Sequence, residues 1–146
     1  MQVRTPMTRD VIVVPPDLSI ADAWQTMVSE NIRHLPVVRD KRLVGIVSDR
    51  DLLRAGDLLG GGVLAFWEQT VAEVMTKNPI VCPPSASVGF AARTMTEKKI
   101  DALPIVNGER LVGLITSTDL LMLLHERPDE EELPFEFQVE ERSRAA

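Results

Sequence analysis

The chain has 146 residues, of which 45% are hydrophobic and 26% charged, and its formal net charge is −6. This length fits one compact domain of about 100–200 residues, or two small ones that share a core, and the apolar content excludes a wholly disordered chain. No apolar run approaches the roughly 18 residues of a membrane helix, and the N-terminus lacks the apolar segment of a signal peptide. The single cysteine, Cys82, excludes an internal disulfide or a cysteine-rich zinc site, so we expect a cytoplasmic, metal-free protein.

The negative charge is concentrated at the C-terminus. Residues 126–146 contain eight acidic side chains and three arginines, a net charge of −5, whereas the rest of the chain has 14 acidic and 13 basic side chains. Nucleic-acid binding generally needs a basic face and is therefore disfavoured. Apolar and polar residues alternate over 133–139, which leaves two interpretations of this tail, an edge strand or a solvated segment.

The first half of the chain predicts a strand–helix–strand–strand–helix order. An apolar, β-branched run at 11–14 predicts a short strand that ends at two prolines. Ser19 is typical of a helix N-cap, and the apolar residues after it recur at helical spacing. Two strands follow at 35–38 and 43–47, joined by a short polar turn as a hairpin. Ser48 then begins a second helix.

The second half repeats this order. Its predicted strands and helices cover 79–82, 87–98, 103–106, 111–115 and 117–125. A linker over 56–70 separates the two predicted units, 1–55 and 71–125, and the acidic tail over 126–146 follows them. The linker contains three consecutive glycines, but it lacks the Lys-Ser/Thr pair of a phosphate-binding loop.

An internal duplication explains this symmetry. An offset of 68 residues aligns 7–53 with 75–121 without a gap, and about 20 of the 47 pairs are identical. Two copies are too few for an open solenoid, and a unit of roughly 50 residues buries little surface alone. We therefore predict an α+β fold with mixed α/β elements, in which two tandem β-α-β-β-α repeats pack around a pseudo-twofold axis.

Two duplicated motifs carry a family resemblance. Leu35-Pro36-Val37-Val38 corresponds to Leu103-Pro104-Ile105-Val106, and Gly45-Ile46-Val47-Ser48-Asp49-Arg50-Asp51 corresponds to Gly113-Leu114-Ile115-Thr116-Ser117-Thr118-Asp119. This pattern, over about 3–125, resembles the CBS domain, named for cystathionine β-synthase and paired as a Bateman module. The resemblance implies a regulatory sensor that binds an adenosine-containing ligand (AMP, ADP, ATP or S-adenosylmethionine) between the repeats. It also implies a homodimer that signals to an unidentified target protein and requires no other cofactor.

The resemblance further implies which residues line two clefts. In the family's Gly-h-h-Ser/Thr-x-x-Asp motif, where h is apolar, the carboxylate suits the two ribose hydroxyls, and the hydroxyl and helix amides suit a phosphate. The first cleft would be lined by Ser48, Arg50, Asp51, Thr76, Lys77, Ile80, Asp101 and Ala102. The second cleft would be lined by Thr8, Ile12, Arg33, His34, Thr116, Thr118 and Asp119. In the first cleft, Arg50 and Lys77 are the candidates for contact with a phosphate.

Other interpretations stay open from the residues themselves. Ser48-x-x-Asp51 and Thr116-x-x-Asp119 also have the spacing of a helix N-cap and its third helical residue, so both pairs would serve only to start helices in a ligand-free structural or partner-binding dimer. An enzyme is disfavoured, because no nucleophile-elbow pattern accompanies the two histidines, His34 and His125.

Overall fold

The computed structural model describes residues 1–58 and 69–125 of the chain. Its helices are α1 (Ile20–Glu30), α2 (Asp49–Leu58), α3 (Val71–Val74), α4 (Val88–Lys98) and α5 (Ser117–His125). Its strands are β1 (His34–Arg39), β2 (Arg42–Ser48), β3 (Thr76–Lys77), β4 (Ala102–Asn107) and β5 (Arg110–Thr116). The predicted α+β class is confirmed, as are both hairpins and the two helices predicted in each repeat.

The first long helix of each repeat begins and ends in the same way. The hydroxyls of Ser19 and Ser87 each accept a hydrogen bond from the amide three residues later, at 3.1 and 3.0 Å. Asn31 and Lys99 end α1 and α4 in the left-handed conformation, at φ 53° and 54°. Equal caps at both ends give the two helices the same length and turn the chain at the same point toward the following strand.

The prediction of strands over 11–14 and 79–82 is wrong. Each segment instead contributes one parallel bridge, at Val14 beside β1 and at Cys82 beside β4. The two prolines that follow each bridging residue have no amide hydrogen to donate, so the pairing stops there. The first strand of each predicted repeat is therefore reduced to a single point of contact with the sheet.

One antiparallel sheet joins the two repeats. Its strand order is β1-β2-β5-β4, and β3 pairs with β2. Asp40 and Lys41 turn the chain between β1 and β2 at φ 49° and 65°, as a two-residue hairpin requires. β2 and β5 meet where Arg42 pairs with Arg110. These two arginines are 68 positions apart, and we call any two residues with this separation matched. Because matched residues pair with each other here, this point lies on the predicted pseudo-twofold axis.

Each repeat has its own hydrophobic core, and each core includes a residue from the leading segment of the other repeat. Val71 is fully buried in the first core, and the matched Val3 is fully buried in the second. Backbone hydrogen bonds of 2.8 Å join Val71 N to Leu18 O and Val3 N to Ala86 O. The halves therefore interlock through their leading segments, which the sequence pattern did not predict.

A glycine in each repeat permits this interlocking. Thr76 of β3 pairs with β2, and Thr8 bridges β5. A Cβ atom at Gly45 would lie 2.9 Å from the carbonyl oxygen of Thr76, and one at Gly113 would lie 3.1 Å from the carbonyl oxygen of Thr8. The first residue of the duplicated motif is therefore glycine because another backbone crosses the strand at that point.

Two predictions concern segments outside the described residues. The three glycines of the linker fall within 59–68, and the acidic tail is the segment 126–146. Among the helices of the two described ranges, none combines the length and the apolar character that crossing a membrane would take.

Candidate functional site

The serine–aspartate pair of the first repeat caps the start of α2. Asp51 Oδ2 accepts a hydrogen bond from Ser48 N at 2.8 Å, and Ser48 Oγ accepts one from Asp51 N at 3.2 Å. Asp49 N donates to Arg33 O at 2.9 Å, and Arg50 N donates to Asp49 Oδ1 at 2.9 Å. Four successive amides at this helix start therefore have partners within the chain.

The threonine–aspartate pair of the second repeat caps α5 in the same way. Asp119 Oδ2 accepts hydrogen bonds from Thr116 N at 2.8 Å and from Thr116 Oγ1 at 3.0 Å, and Asp119 N donates to Thr116 Oγ1 at 3.3 Å. Ser117 N donates to Asp101 O at 2.9 Å. The capping interpretation is thus confirmed for both pairs. Each cap engages only one carboxylate oxygen, so the second oxygen of each aspartate is left for another contact.

A cavity of about 470 Å³ lies beside the start of α5. Its walls come from the segment 8–12, the end of α1, the start of β1 and the start of α5, so both repeats contribute. It is lined by Thr8, Asp10, Val11, Ile12, Asn31, Ile32, Arg33, His34, Asp101, Leu114, Thr116, Ser117, Thr118 and Asp119. Its volume falls within the roughly 300–1,000 Å³ that is typical of small-molecule sites.

The cavity brings together all seven residues assigned to the second cleft. These are Thr8, Ile12, Arg33, His34, Thr116, Thr118 and Asp119. Asp101, assigned from the sequence to the first cleft, also lines this cavity, together with its matched residue Arg33. The two clefts are therefore less separate than the family resemblance implied.

Three polar lining residues were missed from the sequence: Asp10, Asn31 and Ser117. A signal existed for Asp10, because alternate residues of an extended segment share a face, and Asp10 lies midway between Thr8 and Ile12. Asn31 takes the left-handed position after α1, where asparagine is favoured after glycine, so its place at a helix end was accessible to prediction. Its contribution to the cavity depends on tertiary packing.

The residues assigned to the first cleft fall on several elements, and three of them, Ser48, Arg50 and Asp51, lie at the start of α2. Thr76 and Lys77 form β3 against β2, the strand that leads into the Ser48 cap. Both side chains are exposed, as are those of Arg50 and Ile80. Ala102 begins β4 and is buried. The two cationic side chains assigned to this cleft, Arg50 and Lys77, are therefore exposed.

His34 forms part of the cavity wall at the start of β1. Burial of the imidazole lowers its pKa below the usual range, and the neighbouring Arg33 acts in the same direction. Asp49, Asp101 and Asp51 raise this pKa, but they do not cancel the effect of burial. The imidazole is therefore neutral at pH 7 and offers one hydrogen-bond donor and one acceptor to the cavity.

Cys82 has no place in this site. It is buried in the second core, and its burial raises the pKa of the thiol. Since the thiolate is the reactive form of cysteine, this side chain acts as a small apolar residue in the core.

The interlocked repeats and the cavity that both of them line define a tandem-repeat fold. Residues 2–57 and 71–126 each match the sequence model of the CBS domain. These matches cover more than half of the chain, so the protein belongs to the CBS domain family and contains a pair of these domains. The family resemblance inferred from the duplicated motifs is confirmed.

Solved domain pairs share this fold. The CBS domain pair of protein MJ0100, in complex with 5′-methylthioadenosine and S-adenosyl-L-methionine, aligns with a TM-score of 0.76 and 29% sequence identity, over 86% of this chain and 96% of that chain. CBSX2 in complex with AMP aligns with a TM-score of 0.75 and 32% identity, over 86% and 96% of the two chains. Both relatives therefore hold adenosine derivatives.

Curated relatives are longer proteins. The inosine-5′-monophosphate dehydrogenase of Korarchaeum cryptofilum is 39% identical over 114 residues, which is 77% of this chain and 22% of that enzyme. The chain also spans less than half the length of other curated relatives that it matches. The chain therefore corresponds to only a part of each of these proteins.

Proposed function

We propose that this chain is a regulatory module that binds an adenosine-containing ligand in the cavity beside α5 and signals this binding to a target protein. The observation that carries the proposal is that one cavity contains all seven residues assigned to the second cleft. The adenosine derivatives held by two solved relatives support the ligand class.

The chemistry of the lining suits an adenosine ligand. Asp119 uses Oδ2 in the helix cap, which leaves Oδ1 to accept a hydrogen bond from a ribose hydroxyl. Ile12 and Leu114 offer apolar surface to the adenine ring. His34 and Asn31 offer donors and acceptors to its polar edge.

Signalling follows from the way the cavity is assembled. Thr8 belongs to the leading segment of the first repeat but bridges β5 of the second, so a ligand beside it contacts both halves. A ligand that binds one arrangement of the halves more tightly shifts the population toward that arrangement. The matched Leu53 of α2 and Leu121 of α5 are 51% and 64% exposed, which supports an apolar contact with the target or with a second copy in the expected homodimer.

Calorimetric titration of ligand-free protein with AMP, ADP, ATP and S-adenosylmethionine tests the proposal. We expect saturable binding of at least one of these, weakened about tenfold by Asp119→Asn, because an amide retains one acceptor for the cap but loses the charged second oxygen. Asp51→Asn is the matched control, which makes the same change at the other helix start. If none of the four ligands produced heat or a thermal shift, the proposal would be rejected.

A ligand-free structural dimer is the second candidate, and the two caps favour it because they account for the Ser/Thr–Asp pairs without a ligand. Under this alternative, Thr116→Ala and Asp119→Ala lower the free energy of unfolding by about 1 kcal/mol each and change no binding property. Sedimentation analysis of the same samples then shows a dimer whose stability is indifferent to adenosine compounds.

A further inference from the structure

The charge of the cavity beside α5 points to the chemical class of its ligand. Three carboxylates line the cavity, those of Asp10, Asp101 and Asp119, against the single guanidinium of Arg33. With the imidazole of His34 neutral, the formal charge of the lining is −2. A phosphate placed there would be repelled by its surroundings.

The helix start does not compensate for this repulsion. Phosphates bind at helix N-termini through backbone amides that have no other partner. At the start of α5, the amides of Thr116, Ser117 and Asp119 already donate within the chain, and their acceptors include the Asp119 carboxylate and the Asp101 carbonyl. Within the described part of the chain, Thr118 N is the amide of this group that is left for a ligand. One amide is a poor substitute for a phosphate cradle.

The residues matched to the cavity lining show the opposite tendency. Three cavity residues are replaced at the matched positions by more positive ones: Asp10 by Asn78, Asn31 by Lys99 and Thr118 by Arg50. Ser117 changes the other way, because it is matched to Asp49, and Arg33 and Asp101 are matched to each other, so their exchange leaves the net charge unchanged. The matched set therefore has three cationic and three anionic side chains and no net formal charge. These are Arg33, Arg50, Lys99, Asp49, Asp51 and Asp101.

We propose that the cavity beside α5 selects adenosine derivatives without a phosphate group, either uncharged thioether nucleosides or positively charged sulfonium nucleosides, and discriminates against AMP, ADP and ATP. This inference rests on the proposed function, since it assumes that the cavity binds adenosine. It adds that the charge at the 5′ end of the ligand decides which adenosine derivative is bound.

Titrations of the full chain with three probes test this selection. The probes are 5′-methylthioadenosine, which is uncharged, S-adenosylmethionine, which has a net positive charge, and AMP, which is a dianion. They are compared in Asp51→Ala protein, so that the start of α2 contributes least to the signal. We expect the first two probes to bind about tenfold or more tightly than AMP, as like charges about 8 Å apart at a protein surface imply.

The dependence of ligand affinity on salt concentration separates selection by charge from selection by shape. Between 50 and 500 mM NaCl, we expect AMP binding to strengthen, S-adenosylmethionine binding to weaken and 5′-methylthioadenosine binding to stay constant, because salt screens repulsion and attraction alike. This measurement uses the unsubstituted cavity, so it stands even if the cavity variants fold poorly.

A double variant gives two residues of the cavity lining the residue types of their matched positions. Asp10→Asn with Thr118→Arg installs the residue types of Asn78 and Arg50, and we expect it to strengthen AMP binding about tenfold relative to 5′-methylthioadenosine binding. Asp17→Asn with Ser85→Arg adds the same two charges at exposed positions outside the lining and serves as the control.

The outcomes distinguish this inference from the function on which it rests. AMP that binds as tightly as 5′-methylthioadenosine, or that weakens as salt is added, overturns the charge selection and leaves an adenosine-binding module in place. A double variant no better for AMP than its control also overturns it. If none of the probes binds, the proposed function itself fails, and the selection fails with it.

Discussion

The starts of α2 and α5 are built alike and surrounded differently. In both, an aspartate Oδ2 accepts a hydrogen bond of 2.8 Å from the amide three residues before it. Around α5 the lining includes Asp10 and the uncharged Thr118, whereas the matched residues near α2 are Asn78 and Arg50. The aspartates that cap the two helices are thus the same in both halves, while residues that line the cavity differ from their matched residues. This division is expected when one scaffold serves two chemical environments.

The largest expected effect comes from disturbing the backbone crossings at Gly45 and Gly113, which lie in the strands that lead into the two helix starts. Gly45→Ala and Gly113→Ala each place a Cβ against the carbonyl of the crossing segment, so we expect each to lower the free energy of unfolding by about 1–3 kcal/mol. Gly45→Ala should cost more, because its Cβ would lie 2.9 Å from the carbonyl oxygen rather than 3.1 Å. Urea unfolding of the full chain measures both.

Gly89→Ala is the control for these substitutions. Gly89 lies in α4, where the nearest atom to an added Cβ is 3.9 Å away, so alanine there should stabilise the helix by roughly 0.5–1 kcal/mol. Gly45 and Gly113 variants as stable as the natural chain would show that the leading segments move aside without cost, and the interlocking would then not hold the halves together.

The predictions from the sequence were confirmed where a structural feature depends on consecutive or duplicated residues. The 68-residue repeat predicted the hairpins, the caps at Ser48 and Thr116 and the axis between the halves. It failed at 11–14, where β-branched residues suggested a strand but the following prolines leave only one bridge at Val14. It also could not find that Val3 completes the other repeat's core, because a contact between distant segments leaves no periodic pattern.

A pH titration sharpens the comparison, because His34 is matched to Ala102 and only the cavity side carries an imidazole. Burial lowers the folded-state pKa of His34, with Arg33 acting alike and Asp49, Asp101 and Asp51 opposing. The unfolded chain, in which the pKa of His34 is about 6.5, therefore binds a proton at this imidazole more readily than the folded chain does. The free energy of unfolding consequently falls as the pH drops from about 6.5 through the folded-state pKa.

His34→Gln removes this titration while retaining a polar side chain of similar size. We expect its loss of unfolding free energy between pH 7.5 and pH 5.5 to be smaller than that of the natural chain, as measured by urea unfolding at each pH. Equal losses in the two proteins would mean that the imidazole is protonated as easily in the folded cavity as in water.

The smallest expected effect concerns the axis itself, where Arg42 pairs with Arg110 in the sheet. On one side, Arg42 Nε lies 3.1 Å from Glu109 Oε2; on the other, the residue matched to Glu109 is Lys41, which lies in the same groove as Arg110. Lys41→Glu would give Arg110 the ion pair that Arg42 already has. Because both partners of the existing pair are mostly exposed, at 68% and 70%, the gain should be only about 0.2–1 kcal/mol and should shrink in high salt. A double-mutant cycle with Arg110→Ala isolates the pair, and a coupling energy of zero would show that the two sides of the axis differ in geometry as well as in charge.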